Sequence, residues 1–335
     1  VQFLVIQTAF IGDVVLATGI IEKLHRHFPD AEIDFMVRKG NEGLLKNHPF
    51  LREVLVWDKR SGQKNRNLLK LLRQVRSRRY DKVINVQRFA ATGLLTAFSG
   101  AKETIGFDKN PFSRFFTKRV KHIISDGATT RHEIERNDEL IRSFVPGDPM
   151  KPRLYPSQAD YEKVKPYQEI PYLTISPASV WFTKMYPAGK WALFLQKLPP
   201  IYNIYLLGGP GDASLADSIK EAVPNAPVTN LCGQLNFLQS TALMHKAVMN
   251  YVNDSAPMHF ASAVNAPVTA VYCSTLPSFG FGPLSDKRFI VEIEEPLPCR
   301  PCGLHGRKTC PLGHFKCAYN IKEDQLLETI AARES

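Results

Sequence analysis

Short apolar runs bounded by polar turns alternate along this chain with longer stretches of helical periodicity. Gln2 to Gln7, Glu32 to Val37, Val54 to Trp57 and Lys82 to Val86 read as strands, while Asp13 to Phe28 and Leu68 to Ser77 read as helices. Ala128 to Phe144 reads as a helix that closes this first half. Pro146, Pro149, Pro152 and Pro156, with Gly147 among them, then mark a linker or hinge. After it the alternation restarts. Strands are expected at Tyr172 to Ser176, Asn203 to Leu207, around Val228, at Ala247 to Val252 and at Pro267 to Tyr272. Helices are expected at Ala188 to Leu198, Ser214 to Ala222, Phe237 to Lys246, from Phe260 onward, and at Lys322 to Ala332 near the end. Such alternation means parallel sheets covered on both faces by helices. The pattern therefore predicts an α/β chain of two doubly wound domains, residues 1–150 and 151–335, with a ligand cleft at the carboxyl ends of their sheets.

The most informative junction in that pattern is Asn253-Asp254-Ser255-Ala256-Pro257-Met258-His259, which joins an apolar strand to a helix. Asp254 and Ser255 suit an N-cap, and Pro257 suits a first helical turn, where its missing N–H costs nothing. A corner of this kind aims unpaired backbone N–H groups and the positive end of a helix dipole at its guest. Anionic groups are the expected guests, phosphates above all.

Composition narrows the class. The 335 residues suit two domains, and no stretch approaches the roughly 18 consecutive apolar residues of a membrane span. The first residues read as a strand rather than a targeting segment, so a cytoplasmic location is expected. Six cysteines are then expected as thiols rather than disulfides. The net charge of +11 is uneven: residues 1–150 carry 26 Lys and Arg against 17 Asp and Glu, whereas residues 151–335 carry 17 against 15. The first half is thus the one expected to meet an acidic partner. Within it, Lys59 to Lys82 holds ten basic residues and a single acid, Asp81, interleaved with leucines and Val75. This reads as a basic amphipathic helix, either a solvated face or a surface for phosphorylated lipid headgroups. Nucleic acid is a poorer match for that run, because stacking needs interleaved aromatic side chains and only Tyr80 is present.

Several strand ends carry candidate chemistry. Gly12 and Asp13 follow the first strand, where Gly12 permits a tight turn and Asp13 is either an ordinary helix cap or a carboxylate facing the cleft. Ser176-Pro177-Ala178-Ser179, followed by Thr183-Lys184, places hydroxyls and an ammonium at another strand end, a combination suited to a diphosphate. Gly208-Gly209-Pro210-Gly211-Asp212 ends the next strand; its glycines permit close approach of a nucleotide, and Asp212 offers acceptors to ribose hydroxyls. A G-x-G-x-x-G fingerprint is absent, as is a D-x-D motif to hold a metal. Cys299, Cys302, Cys310 and Cys317, with His305 and His314 among them, are ligand types that suit a structural zinc, although their spacing is not that of a common zinc module.

Together these segments resemble the ADP-heptose:lipopolysaccharide heptosyltransferase family, inverting glycosyltransferases of family 9 with the GT-B fold of two Rossmann-like domains. The resemblance is carried by Ile11-Gly12-Asp13-Val14-Val15, by Thr183-Lys184-Met185-Tyr186-Pro187 with Trp191, by Leu207 to Asp212, by Asn253 to His259, and by Cys299 to Cys317. It implies that Asp13 is the general base, that Lys184 binds the diphosphate of ADP-heptose, and that Asp254, Ser255 and Ala256, with His259 nearby, hold the donor. Ser179, Thr183, Gly209 and Asp212 complete the expected donor side. Two positions depart from the family pattern: Asp212 stands where glutamate is usual for the ribose, and Ala256 where glycine is usual. The implied acceptor is the phosphorylated inner core of lipopolysaccharide, an anionic glycolipid at the inner leaflet, with Arg60, Lys64, Arg88 and Lys102 as candidate contacts. No cofactor is required by this chemistry, and peripheral association with the inner membrane follows from the acceptor. A glycosyltransferase using another nucleotide sugar or acceptor, and a nucleotide-sugar epimerase, are the competing expectations, and oligomeric state is left open.

Overall fold

The computed structural model describes residues 1–59, 64–124 and 130–334. It divides into two compact units, Val1–Tyr155 and Pro156–Ser335, each built around its own sheet.

In the first unit, β1 (Gln2–Ile6), α1 (Ile11–His27), β2 (Glu32–Arg38), β3 (Glu53–Trp57), α2 (Lys64–Ser77), β4 (Lys82–Asn85), α3 (Ala90–Ala97), β5 (Glu103–Phe107), β6 (Lys118–Val120) and α4 (Glu133–Asp138) follow in order. Among the described residues the strands form a parallel sheet ordered β3-β2-β1-β4-β5-β6. The second unit contains α5 (Gln158–Val164), β7 (Tyr172–Ser176), α6 (Ala188–Lys197), β8 (Asn203–Leu206), α7 (Ala213–Glu221), β9 (Val228–Asn230), α8 (Phe237–Lys246), β10 (Met249–Asn253), α9 (Ala256–Ala263), β11 (Val268–Tyr272), β12 (Arg288–Glu292), α10 (Lys316–Tyr319) and α11 (Glu323–Glu334). Its sheet is ordered β12-β11-β10-β7-β8-β9, which repeats the winding of the first unit. In each sheet the order reverses beside the first strand, at β1/β4 and at β7/β10. Open α/β sheets bind ligands at the carboxyl ends of strands at such reversals.

The central strands are buried because they are apolar on both faces: Phe3 to Ile6, Ile33, Phe35 to Val37, Leu173, Ile175, Tyr251 and Val252 all lie in the interior. Trp191 of α6 is fully buried and packs edge-on against Tyr186, with ring centroids 5.0 Å apart.

Two expectations are corrected and a third is sharpened. The helix expected over residues 128–144 is confined to Glu133–Asp138, with residues 125–129 outside the described residues. His132 caps its start, accepting the Ile134 N–H while Glu135 accepts the His132 N–H, and the chain leaves the helix after Asp138 in tighter turns. Lys23 of α1 draws this end inward: its Nζ lies 2.6 Å from Asp138, both buried, and 2.7 Å from the carbonyl of exposed Gly147. The proline-rich linker is also no free hinge as far as Tyr155. The Arg153 N–H donates to Thr18 Oγ1 and the Tyr155 hydroxyl to Glu22, and the Met150 carbonyl lies so near Gly19 that a Cβ there would come within 2.4 Å of it. Finally, α2 is amphipathic, but its apolar side is already used: Leu68, Leu71, Leu72 and Val75 pack into the core of the first unit. Arg66, Lys70, Arg73 and Arg76 are exposed, with Leu69 as the apolar residue among them. That face can attract anions, yet it offers too little apolar surface to enter a bilayer.

Candidate active site

In the first unit, the connection from β1 to α1 carries Asp13. The N-cap is Phe10, and Asp13 lies in the first helical turn, so it is not the capping residue. Burial, and after it the negative charge of Glu133, push the Asp13 carboxyl up to about 6, against backbone bonds at Phe10 and Asp13 and the positive charge of Arg88. Glu133 Oε2 is held by Arg136 Nε at 2.7 Å. His122 is driven the other way, down to about 4, by burial and then by the charges of Arg88, Arg136 and Lys109. The result is a carboxyl raised toward neutral pH close to several cations.

A buried polar network supports this turn, and sequence reasoning missed it. Gln87 Nε2 donates to Gln7 Oε1 at 2.7 Å, the same oxygen accepts the Ala9 N–H, and Thr8 Oγ1 bridges Gln87 and Lys59. Glutamines at the ends of two central strands were its available signal. Of the candidate acceptor contacts, Arg88 is exposed just after β4 and its charge reaches Asp13. Lys102 is not brought to this end: it pairs at 2.7 Å with Asp81, which accepts the backbone N–H of Gln2 at the start of β1. Its position just before β5 puts it at the amino ends of the strands, opposite Asp13. Arg60 lies outside the described residues, as does the side chain of Lys64 at the start of α2.

In the second unit, the corner after β10 forms as expected, with α9 starting at Ala256 behind Ser255. The capping differs. The Ser255 hydroxyl donates to the Asn253 carbonyl at 3.3 Å and makes no cap bond, so the side chain leaves the first-turn N–H groups to other acceptors. Asp254 is engaged by Lys184 Nζ at 2.6 Å and by the Thr275 hydroxyl at 2.7 Å, both on Oδ2. Ala256 is the first residue of α9, and His259 is buried one turn further on.

Asn253 ties this corner to the neighbouring strand end. From the end of β10 its Nδ2 donates to the Pro177 carbonyl at 2.8 Å, and its Oδ1 accepts the Tyr186 N–H at 2.9 Å. Residues 177–186, which include half-buried Ser179 and the turn Phe182–Lys184, are therefore fixed at both ends by one buried amide. Thr183 is fully buried and its hydroxyl accepts from Ser274 Oγ and the Arg307 N–H, so it holds a neighbouring loop in place. After β8, the Asp212 carboxylate accepts the Gly209 N–H at 2.8 Å and closes the turn Pro210–Asp212. Asp212 thus shapes the glycine turn. Lys190 of α6 is paired with Glu323 at 2.5 Å.

The four clustered cysteines are thiols, and among the described residues no three His, Cys, Asp or Glu side chains converge as a metal site. Cys299 Sγ lies 3.9 Å from His314 Nε2 and Cys302 Sγ reaches the Cys299 carbonyl. Burial and then the proximity of Cys302, Cys310 and Cys299 push the Cys317 thiol up to about 11.

Two parallel sheets of identical winding, each with its order reversing beside the first strand, are the α/β architecture of the GT-B class. The family model for glycosyltransferase family 9 (heptosyltransferase) matches residues 68–312, and the chain belongs to that family. Lipopolysaccharide heptosyltransferase 3 of Escherichia coli (strain K12) is 26% identical over 282 residues, covering 79% of this chain and 80% of its own. Among solved structures, E. coli ADP-heptose lps heptosyltransferase II superposes with a TM-score of 0.81 at 21% identity, covering 99% of this chain and 98% of its own. E. coli heptosyltransferase WaaC with ADP gives a TM-score of 0.75 at 16% identity, covering 99% and 100%. Among the described residues no helix is long and apolar enough to cross a membrane.

Proposed function

We propose that this glycosyltransferase moves a heptose from ADP-heptose to the phosphorylated inner core of lipopolysaccharide, inverting the anomeric centre. The observation that carries the reading is the donor corner: Lys184 Nζ is held at the carboxyl edge of β7 and β10, 2.6 Å from Asp254 and next to the start of α9. An ammonium and a helix N-terminus together accept the charge that builds on a departing diphosphate. Asp13 supplies the other half of the chemistry, removing the proton from the acceptor hydroxyl as the glycosidic bond to ADP breaks. The relatives named above are lipopolysaccharide heptosyltransferases, and one neighbouring structure was solved with ADP, which supports the same donor here.

Asp212 and the Gly208-Gly209 turn are assigned to the nucleoside, and Arg88 with the exposed basic face of α2 to the anionic acceptor. That face gives an electrostatic mode of association with the inner membrane surface, sensitive to salt. The direct test is incubation with ADP-heptose and a lipid A-core acceptor, reading product mass and anomeric configuration; unchanged acceptor, or transfer only from another nucleotide sugar, would overturn the assignment. Lys184→Ala is expected to weaken ADP binding about 10- to 100-fold by calorimetric titration, the worth of a charge-assisted contact. An unchanged ADP affinity would remove Lys184 from the diphosphate site.

A further inference from the structure

We propose that Thr275 is a positioning residue for Lys184, and that the segment 299–307 is the brace that sets it. This inference rests on the donor reading above and extends it from contacts to what holds them. The ligand concerned is the diphosphate of a nucleoside diphosphate. A lysine side chain has four rotatable carbons, so an unrestrained ammonium pays ordering entropy whenever it binds phosphate; one already fixed does not.

The head of Lys184 is fixed through Asp254, whose carboxylate plane has only a soft torsional preference of its own. The Thr275 hydroxyl supplies the missing restraint. It is buried, 1% exposed, and donates at 2.7 Å to Oδ2, the oxygen that also takes Lys184 Nζ at 2.6 Å. Thr275 is in turn fixed from behind. Arg300 Nη2 donates to the Thr275 carbonyl at 2.8 Å and to that of Tyr272 at 3.2 Å, and pairs with Glu292 at 2.5 Å. The next residue back, Ser274, accepts the Cys302 N–H on its carbonyl at 2.9 Å and donates its hydroxyl to Thr183 at 2.9 Å.

The stem of the lysine is held by the same segment. Thr183 and Arg307 exchange two bonds, Thr183 N–H to the Arg307 carbonyl at 3.1 Å and Arg307 N–H to Thr183 Oγ1 at 2.8 Å. Gly306, at φ +77°, lies so close that a Cβ there would come within 2.9 Å of Lys184 Cγ. One loop therefore reaches the lysine twice, at its stem through Gly306 and Arg307 and at its head through Arg300, Thr275 and Asp254. This gives the cysteine-rich segment a role that needs no metal.

Thr275→Val keeps the shape and removes the hydroxyl, whereas Thr275→Ser keeps the hydroxyl and removes a methyl. Read by ADP titration of the full chain, Thr275→Val is expected to weaken binding about tenfold, the worth of a hydrogen bond to a charged group, with Thr275→Ser within about twofold of the parent. In a Lys184→Ala background the valine substitution is expected to change ADP affinity by less than about twofold, because the interaction it acts through is already gone. Equal weakening by valine and serine, or a valine effect undiminished without Lys184, would overturn the inference and make Thr275 a packing residue. Should Thr275→Val not fold, Thr275→Ala removes the same hydroxyl and takes its place in the cycle. A Lys184→Ala protein that binds ADP like the parent overturns the donor reading and this inference with it. A weakened Lys184→Ala beside an unaffected Thr275→Val overturns the inference alone.

Discussion

Replacing Asp13 with asparagine is expected to lower kcat for heptosyl transfer by about 10²- to 10⁴-fold while leaving ADP affinity within about twofold of the parent. The substitution removes the proton acceptor and keeps the shape of the first turn of α1, so a folded protein with intact donor binding should result. In the parent, kcat/KM is expected to rise with pH through about 6, since the base works only when deprotonated and its carboxyl is pushed up to about 6. Glu133→Gln removes the like charge that follows burial in raising Asp13, so the acidic limb should move to lower pH. The stability effect has the opposite sign from the catalytic one. A carboxyl raised in the folded state contributes its full stability below the unfolded value of 3.8 and loses it as pH rises through about 6. Asp13→Asn should therefore be slightly more stable than the parent at pH 7.5, by about 1–2 kcal/mol. A variant that keeps more than a tenth of the parent kcat would show that another group takes the proton.

The second large effect concerns folding. Asp34→Ala is expected to cost about 3 kcal/mol, because Asp34 is a fully buried carboxylate that organises cations from two other elements. Arg52 grips it with two bonds at 2.9 and 2.6 Å, Arg78 adds one at 2.6 Å, and the Tyr80 hydroxyl donates to the same carboxylate. Burial opposes the charge, but the bonds from Arg52, Tyr80 and Arg78 outweigh it and hold the carboxyl below its usual range. Its contribution is therefore present above about pH 4 and lost as pH falls through the lowered folded value. Removal leaves two guanidinium groups and a phenol without their common acceptor, although both arginines keep some solvent. For a unit of this size the loss corresponds to a melting temperature lower by about 6–12 °C. Denaturant titrations at pH 7 and pH 3 separate the effects: the difference between Asp34→Ala and parent should shrink at the lower pH. A loss below about 1 kcal/mol at pH 7 would show that the arginines find new acceptors.

The two sheets and the strand-to-helix corner after β10 were legible because strand ends in this architecture carry recognisable residues: apolar runs, then glycine, proline or a short polar side chain. Three of the elements that escaped lack that contrast, and β5, a buried strand, was missed as well. β6 is three residues of Lys-Arg-Val at a sheet edge, and β12 is an edge strand with Ile290 45% exposed, so neither shows a buried run. α3, Ala-Ala-Thr-Gly-Leu-Leu-Thr-Ala, is too short and too evenly apolar to show a helical period. Lys102 illustrates a different limit, since charge density along the chain does not say at which end of a strand a lysine will stand. The Thr275 and Arg300 bonds to the corner join residues far apart in sequence, and hydrogen bonds of that kind have no period to read. Asp212 and Ala256 were legible as departures from the family pattern, and the structure adds that Asp212 also closes its own turn.

The amide of Asn253 gives the donor side an unusual experimental handle. Since it holds both Pro177 and Tyr186 from the end of a central strand, residues 177–186 are tethered to the sheet at both ends. Solvent exchange of the Tyr186 amide proton should then proceed at the pace of the sheet's own opening rather than that of a surface loop. One slow proton beside Lys184 thereby serves as an internal clock, telling variants that have lost the chemistry of sugar transfer from those that have lost the architecture beneath it.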